Sequence, residues 1–308
     1  MKYKKIVLVV VIATILVVAY LYYTTTNQKL SGTIEIDGSS TVFPITQAVA
    51  EEFQNVNPDI RVNVGISGTG GGFKRFTKAE TDINDASRPI KDSEIQTAAQ
   101  NGIEYIEFRI AIDGLAVMVH PDNTWVDYMT VQELNKTWRP GSMVDSWDDI
   151  RPEWPNQPIN LYGPDTDSGT FDYFTEVIVG EEDASRPDYT ASADDNVLVQ
   201  GIAGDPNALG YFGYAYYAEN TDKLKIVPID SGNGSVIPSD ATINAGQYTP
   251  LARPLFIYVN KDSLKRSEVK AFVRFYMENA EQLVSEIGYT PLPTSVYEEN
   301  LSTLEQQS

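Results

Sequence analysis

Cysteine is absent from the 308-residue chain, and histidine occurs once, at His120. The lack of cysteine excludes disulfides, zinc–thiolate centres, a cysteine nucleophile and a lipid-modified cysteine anchor. A Ser-His-Asp triad, or a metal site that needs imidazole, would have to use His120. That residue ends a β-like run and precedes Pro121, which favours a structural or solvent-facing role. The sequence therefore predicts no metal site, no cofactor and no enzymatic activity.

Basic residues are scarce as well. The chain has 23 Lys and Arg against 43 Asp and Glu, a formal net charge of −20. Binding to a phosphate backbone needs a cationic field, so nucleic acid is excluded as a partner. Nucleotide-binding motifs fail too, because Phe73 stands where G-x-G-x-x-G needs its last glycine and no lysine directly follows the glycine run. Thr69 stands where a G-x-S-x-G elbow needs its final glycine.

The N-terminus carries the one long apolar run. Residues 6–23 contain no charged residue and follow Lys2, Lys4 and Lys5. As a helix this run would span about 27 Å, close to the thickness of a bilayer core, with the lysines in the cytoplasm. We see no small-x-small cleavage site before TTTNQK, which favours an uncleaved signal anchor over a cleaved secretory signal. With either, we expect the body from about residue 31 to lie outside the cytoplasm.

The body alternates strand-like and helix-like segments. The long β-like run is YIEFRIAIDGLAVMVHP, shorter strand-like runs include KIVPID and ARPLFIYVN, and a long amphipathic helix follows the last of these. Such alternation predicts an α/β protein with open sheets that contain parallel strands.

Three turns rich in hydroxyls and glycine each follow a strand-like run and open a helix-like one. They are Gly38-Ser39-Ser40-Thr41, Ser67-Gly68-Thr69-Gly70-Gly71-Gly72 and Asp167-Ser168-Gly169-Thr170. Each Ser or Thr alone is explained by helix capping. Together, with glycine giving access to backbone N–H groups, they predict a pocket of neutral donors around an oxyanion.

Arg88 is the basic residue we expect in this pocket. It follows a strand end and precedes Pro89, which holds its backbone in a defined turn. Guanidinium suits a tetrahedral oxyanion. The structural alternative is a salt bridge, for which Asp85 is the nearest candidate.

The chain resembles the extracytoplasmic phosphate-binding proteins of ABC transporters. The matching pieces occur in the order GSSTVFP, SGTGGGFKRF, DINDASRPI, DSGTFDYF, PLFIYVN and YTPLP, across residues 34 to 293. The resemblance implies a type II periplasmic-binding fold, in which two α/β lobes joined by two crossover strands close on the ligand. We expect an N-terminal transmembrane helix and linker at 1–30, lobe I at 31–113 plus 251–308, and lobe II at 114–250.

The resemblance also implies ligand-binding positions. By position, Thr41 and the N–H of Val42 would hold phosphate, with Ser40 nearby. The glycine turn aligns to either Ser67 or Thr69, and Ser168, Gly169 and Thr170 match directly. Pro164 replaces an arginine of many members, and Arg88 replaces an aspartate of some, so Arg88 becomes the expected cationic contact.

That aspartate would accept the proton of phosphate and repel sulfate, and Asp85, Asp165 and Asp167 are candidates to replace it. The expected function is phosphate binding by a membrane-tethered monomer, with delivery to ABC permease subunits. The alternatives are a binding protein for sulfate, phosphonate or molybdate, a sensor or adhesin, and a secreted phosphatase.

Overall fold

The computed structural model describes residues 30–166 and 168–306. The apolar segment predicted to span the membrane, at residues 6–23, lies outside this range. Within the range, no helix combines the length and the apolar character that crossing a bilayer requires.

The described chain alternates strands and helices, as the sequence predicts. The strands are β1 (Gly32–Gly38), β2 (Ile60–Val64), β3 (Ile83–Ala86), β4 (Tyr105–Val119), β5 (Met129–Thr130), β6 (Asn160–Pro164), β7 (Thr190–Ser192), β8 (Ala208–Gly213), β9 (Lys225–Ile226), β10 (Ile229–Asp230), β11 (Ser235–Val236) and β12 (Ala252–Asn260). The α-helices are α1 (Phe43–Val56), α2 (Gly68–Phe76), α3 (Asp92–Gln100), α4 (Val131–Trp138), α5 (Trp147–Ile150), α6 (Gly169–Phe174), α7 (Asp195–Gly204), α8 (Tyr214–Ala218), α9 (Asp240–Asn244), α10 (Ser267–Ile287) and α11 (Thr294–Gln306). A π-helical turn, Thr175–Val179, extends α6, and a 3₁₀ turn, Ser263–Lys265, precedes α10.

The main sheet has the strand order β2-β1-β3-β12-β4-β8-β6-β7. β1 is parallel to β2 and β3, and β6 is parallel to β7 and β8, whereas β12 is antiparallel to β3 and β4. β4 belongs to both halves of this sheet, since residues 105–114 pair with β12 and residues 115–119 pair with β8. We call the part from β2 to residue 114 of β4 the first sheet region, and the part from residue 115 to β7 the second.

Local sequence explains where the site-bearing elements begin. Pro44 stands in the first turn of α1, where its missing N–H costs nothing. α1 then packs against α10, with the rings of Phe53 and Phe272 edge to face at 5.3 Å and the hydroxyls of Thr46 and Tyr276 3.1 Å apart. Thr46 lies in the first turn of α1, so its contact with Tyr276 holds the N-terminal end of the helix, next to the turn after β1.

One predicted strand is wrong. The run KIVPID forms two short strands, β9 and β10, which belong to different sheets: β9 pairs with β4, and β10 pairs with β5 and β11. Pro228 separates them, because proline has no N–H to donate to a continuous ladder.

Candidate functional site

A cavity of about 490 Å³ lies between the two sheet regions. Three turns of the first region line it, at residues 39–41, 68–70 and 87–89, together with Arg253 and Pro254 of β12. The opposite wall comes from α6 and the segment after it: Asp172, Tyr173, Glu176, Val177 and Glu182. Two of the three predicted hydroxyl turns therefore meet in one cavity.

The first turn is held by backbone contacts to β3. Gly38 ends β1 with φ +147°, and a Cβ there would lie 2.1 Å from the carbonyl oxygen of Asp85. The next N–H, of Ser39, donates to that same oxygen at 3.0 Å. Ser40 and Thr41 thereby reach the cavity wall, while the side chain of Val42 is buried in the core just before α1.

Thr41 is 4% exposed and makes contacts on two sides. Its hydroxyl accepts a hydrogen bond from Nη2 of Arg253 at 3.0 Å, and its carbonyl oxygen accepts one from the hydroxyl of Tyr289 at 2.9 Å. The Tyr289 contact holds the backbone of Thr41, and the Arg253 contact holds its hydroxyl.

The glycine-rich turn brings Thr69, rather than Ser67, to the cavity. Thr69 lines the wall, and its hydroxyl oxygen lies 3.1 Å from that of Ser87 and accepts the N–H of Ser87 at 3.1 Å. Ser67 is exposed and lies outside the wall; its hydroxyl fills the space where Gly71 would carry a Cβ.

The third turn approaches the first directly. Ser168 caps α6, its hydroxyl accepting the N–H of Thr170 at 3.2 Å. A Cβ on Gly169 would lie 3.0 Å from the hydroxyl oxygen of Thr41, so this glycine lets the two regions approach closely. Residues 168–170 stand beside the described cavity wall rather than in it, and Asp172 and Tyr173 of the same helix reach the cavity instead.

Arg88 lines the cavity, but its charge is engaged. Its two Nη groups donate to the two carboxylate oxygens of Glu94, each at 2.9 Å, and its guanidinium lies 5.5 Å from the centre of the Phe73 ring. The expectation of Asp85 as the salt-bridge candidate is wrong. Asp85 points into the interior with no exposure, whereas Glu94 faces Arg88 from the first turn of α3.

Arg253 is the site residue that the sequence analysis missed. Its Nε donates to Asp113 at 3.1 Å, and its guanidinium lies 3.9 Å from the centre of the Tyr173 ring. Arg253 and Asp113 are directly opposite in the antiparallel pairing of β12 with β4. The available signal was one arginine and one aspartate inside two otherwise apolar strands, ARPLFIYVN and IAIDGLAV.

Three buried or half-buried carboxyl groups lie around these turns. Burial raises the pKa of Asp85 to about 8; the Thr46 hydroxyl opposes this rise, and the charge of Asp37 adds to it. Burial raises the pKa of Asp113 as well, although Arg253 opposes it. Burial, together with the charges of Asp183 and Glu182, raises the pKa of Asp172 to about 6.

Of the predicted proton acceptors, Asp85 is sealed behind the first turn, Asp165 lies outside the cavity wall and Asp167 lies outside the described residues. Asp172 is the aspartate that lines the cavity in the described chain. Across residues 30–166 and 168–306, no cluster of three or more His, Asp or Glu could hold a metal ion.

Comparison with known proteins places the chain in a family. Residues 24–280 match the model of the PBP superfamily domain. The protein SphX of Synechocystis is 46% identical over 275 residues, covering 88% of this chain and 82% of SphX. The phosphate-binding protein PstS of Staphylococcus saprophyticus is 39% identical over 279 residues, covering 90% of this chain and 86% of PstS. This chain belongs to the PstS and SphX family of binding proteins.

The fold of this family member agrees with that of solved structures. The crystal structure of a possible phosphate binding protein from Planctomyces limnophilus matches with a TM-score of 0.86 and 52% identity, covering 90% of this chain and 99% of that one. The predicted α/β periplasmic-binding-protein fold and the resemblance to phosphate-binding proteins are thus confirmed.

Proposed function

We propose that this family member binds inorganic phosphate between its two sheet regions, without chemical change, and passes it to ABC permease subunits. The observation that carries the proposal is the meeting of Thr41, Thr69 and Arg253 at one cavity, in a chain that is 39% identical to a phosphate-binding protein. Hydroxyl and guanidinium donors converge there, and a tetrahedral oxyanion is the small ligand that such a set satisfies.

The two sheet regions would act as lobes that close on the ligand. We propose that lobe I comprises residues 31–113 plus 251–308 and that lobe II comprises residues 114–250. In support, the pairing partner of β4 changes from β12 to β8 between Gly114 and Leu115, and the N–H of Leu115 donates to the carbonyl oxygen of Leu251 at 2.8 Å. Two chain crossings therefore lie side by side at one point, as a hinge requires.

We propose that the protein is located outside the cytoplasm and that residues 6–23 tether it to the membrane. The net charge of −20 does not oppose anion binding, because salt screens charges beyond about 8–10 Å. Oriented dipoles and charge-assisted hydrogen bonds inside the cavity would then decide the affinity. We propose a monomer, with Ser40, Val42, Ser168, Gly169 and Thr170 completing the donor set when the lobes close.

Phosphate should be preferred over sulfate. Asp172 lines the cavity and could accept the proton of HPO₄²⁻, whereas sulfate has no proton to give and would meet a bare carboxylate. We expect phosphate to raise the melting temperature of the chain at neutral pH, and equimolar sulfate to leave it unchanged. Thermal unfolding with each ion measures this. Equal shifts would remove the claimed selectivity, and a shift with molybdate alone would favour a different oxyanion.

Thr41→Val should weaken phosphate binding by about tenfold or more, because it removes a hydroxyl next to Arg253 while keeping the shape of the side chain. Thr77→Val is the matched control. That hydroxyl is also buried, but it donates to the carbonyl oxygen of Phe73 at 2.8 Å, away from the cavity. Dissociation constants for both variants test the placement. Equal affinities for Thr41→Val and the unaltered chain would exclude Thr41 from the site.

A further inference from the structure

Among the described residues, two arginines line the cavity. They differ in which of their N–H groups already donate hydrogen bonds within the protein. Both Nη groups of Arg88 donate to one carboxylate, that of Glu94, and Nη1 also donates to the carbonyl oxygen of Pro89 at 3.1 Å. Such a bidentate pair neutralises the guanidinium and occupies the edge that carries its two Nη groups.

Arg253 is bound differently. Its carboxylate partner, Asp113, holds Nε, on the side of the guanidinium away from the Nη edge. Nη2 donates to the hydroxyl of Thr41, and Nη1 lies 3.9 Å from Glu176, which is too far for a hydrogen bond. The edge that carries both Nη groups therefore stands beside the first hydroxyl turn with donor capacity left.

The surroundings of Arg253 hold it in that orientation. Asp113 is 3% exposed in its side chain and lies directly across the strand pair, so its charge depends on this arginine. The ring of Tyr173 covers the face of the guanidinium, and its hydroxyl donates to the carbonyl oxygen of Pro250 at 2.5 Å. Guanidinium packed on an aromatic face and held by a carboxylate loses little freedom when it binds an anion.

Arg253 also touches both sides of the cavity. Thr41 belongs to the first sheet region, whereas Tyr173 belongs to α6 on the opposite wall. Asp113 lies next to the point where β4 passes from one region to the other. A change in the distance between the walls must therefore break or form contacts of this one side chain.

We propose that Arg253 is the cationic ligand of phosphate and that its simultaneous contact with Thr41 and Tyr173 couples phosphate binding to closure of the lobes. This inference rests on the proposed function. Asp113 acts as a positioning residue, and Glu176, which is 60% exposed, competes with phosphate for the free Nη1.

The test is isothermal calorimetry of the full-length chain with inorganic phosphate. Arg253→Gln alone would leave Asp113 buried and unpaired, so the main variant is the double replacement Arg253→Gln with Asp113→Asn. We expect its affinity to fall by at least about tenfold, because charge-assisted hydrogen bonds are among the strongest a protein makes. Glu176→Gln should bind phosphate more tightly, by a few-fold, because it removes the competing carboxylate.

Arg151→Gln is the matched control. Arg151 pairs with Glu133 and covers the rings of Tyr128 and Trp154, at 4.4 and 4.6 Å, but lies away from the cavity wall. It should lose stability and keep its phosphate affinity. Arg88→Gln, which breaks the pair with Glu94, should weaken binding less than the double variant does.

Small-angle scattering of the same proteins measures closure of the lobes as a decrease in the radius of gyration. Phosphate should contract the unaltered chain, and saturating phosphate should not contract the double variant.

The outcomes separate this inference from the proposed function. Suppose that the unaltered chain binds phosphate and that the double variant, shown by its melting curve to be folded, has an affinity within about threefold of the unaltered chain. The assignment of Arg253 is then overturned, and the proposed function stands. A larger loss from Arg88→Gln than from the double variant overturns it too. Contraction of the double variant at saturation overturns the coupling. Absence of phosphate binding by the unaltered chain would instead remove the proposed function.

Discussion

Gly38→Ala should destabilise the chain by about 3 kcal/mol or more, among the largest effects expected for a single methyl group. The added Cβ would lie 2.1 Å from the carbonyl oxygen of Asp85 and 2.8 Å from its nitrogen, and both are backbone atoms of β3 that cannot turn aside. The φ of +147° adds strain for any side chain. Urea unfolding measures the loss.

Gly204→Ala is the control for that experiment. Gly204 ends α7 without a positive φ, and a Cβ there meets nothing within 4 Å, so the free energy of unfolding should stay the same or rise slightly. A loss below about 1 kcal/mol for Gly38→Ala would show that β1 and β3 are not as close as the structure has them, and would remove the support of the first turn.

Asp85→Asn should remove a pH dependence of stability. In the folded chain burial raises the pKa of Asp85 to about 8, and the nearby hydroxyl of Thr46 offsets only part of that rise. The folded state therefore keeps a proton that the unfolded state loses near pH 4. Stability from this group is full below about pH 4 and is lost as the pH rises towards 8, with about 1.4 kcal/mol at stake for each pH unit of separation.

The measurement compares the free energy of unfolding of the variant and the unaltered chain at about pH 5 and about pH 8.5. Asp37 and Tyr276 face Asp85 from β1 and α10, and Arg75 holds Asp37, but these groups are present in both proteins and largely cancel in the difference. Between the two pH values, we expect the free energy of unfolding of the variant to rise relative to that of the unaltered chain by on the order of several kcal/mol. A constant difference would mean that Asp85 is ionised throughout.

Local sequence was enough to place the hydroxyl turns. Gly38, Gly68 and Gly169 each stand where a strand end meets a helix start, and turn chemistry of this kind depends on neighbours in the chain. Whether Ser67 or Thr69 reaches the cavity depends on less than one helical turn of rotation. The contact of Thr69 with Ser87 on the next strand decides it, and that contact cannot be read from the glycine run alone.

The side-chain partners of the two cavity arginines could not be predicted from the sequence. Arg88 pairs with Glu94 rather than with Asp85, because the side chain of Asp85 turns into the interior. The partnership of Arg253 with Asp113 joins residues 140 positions apart and follows from the register of β12 on β4. The register is fixed by the packing of the whole sheet, so it cannot be predicted from the sequence of either strand alone.

Equilibrium dialysis of the full-length chain against labelled inorganic phosphate tests the central claim most directly, which is that uncharged donors and one guanidinium hold phosphate between the two sheet regions. The account predicts saturable binding of one phosphate per chain, weakened in Thr41→Val and unchanged in Thr77→Val. No retained phosphate, or equal retention by both variants, would contradict it.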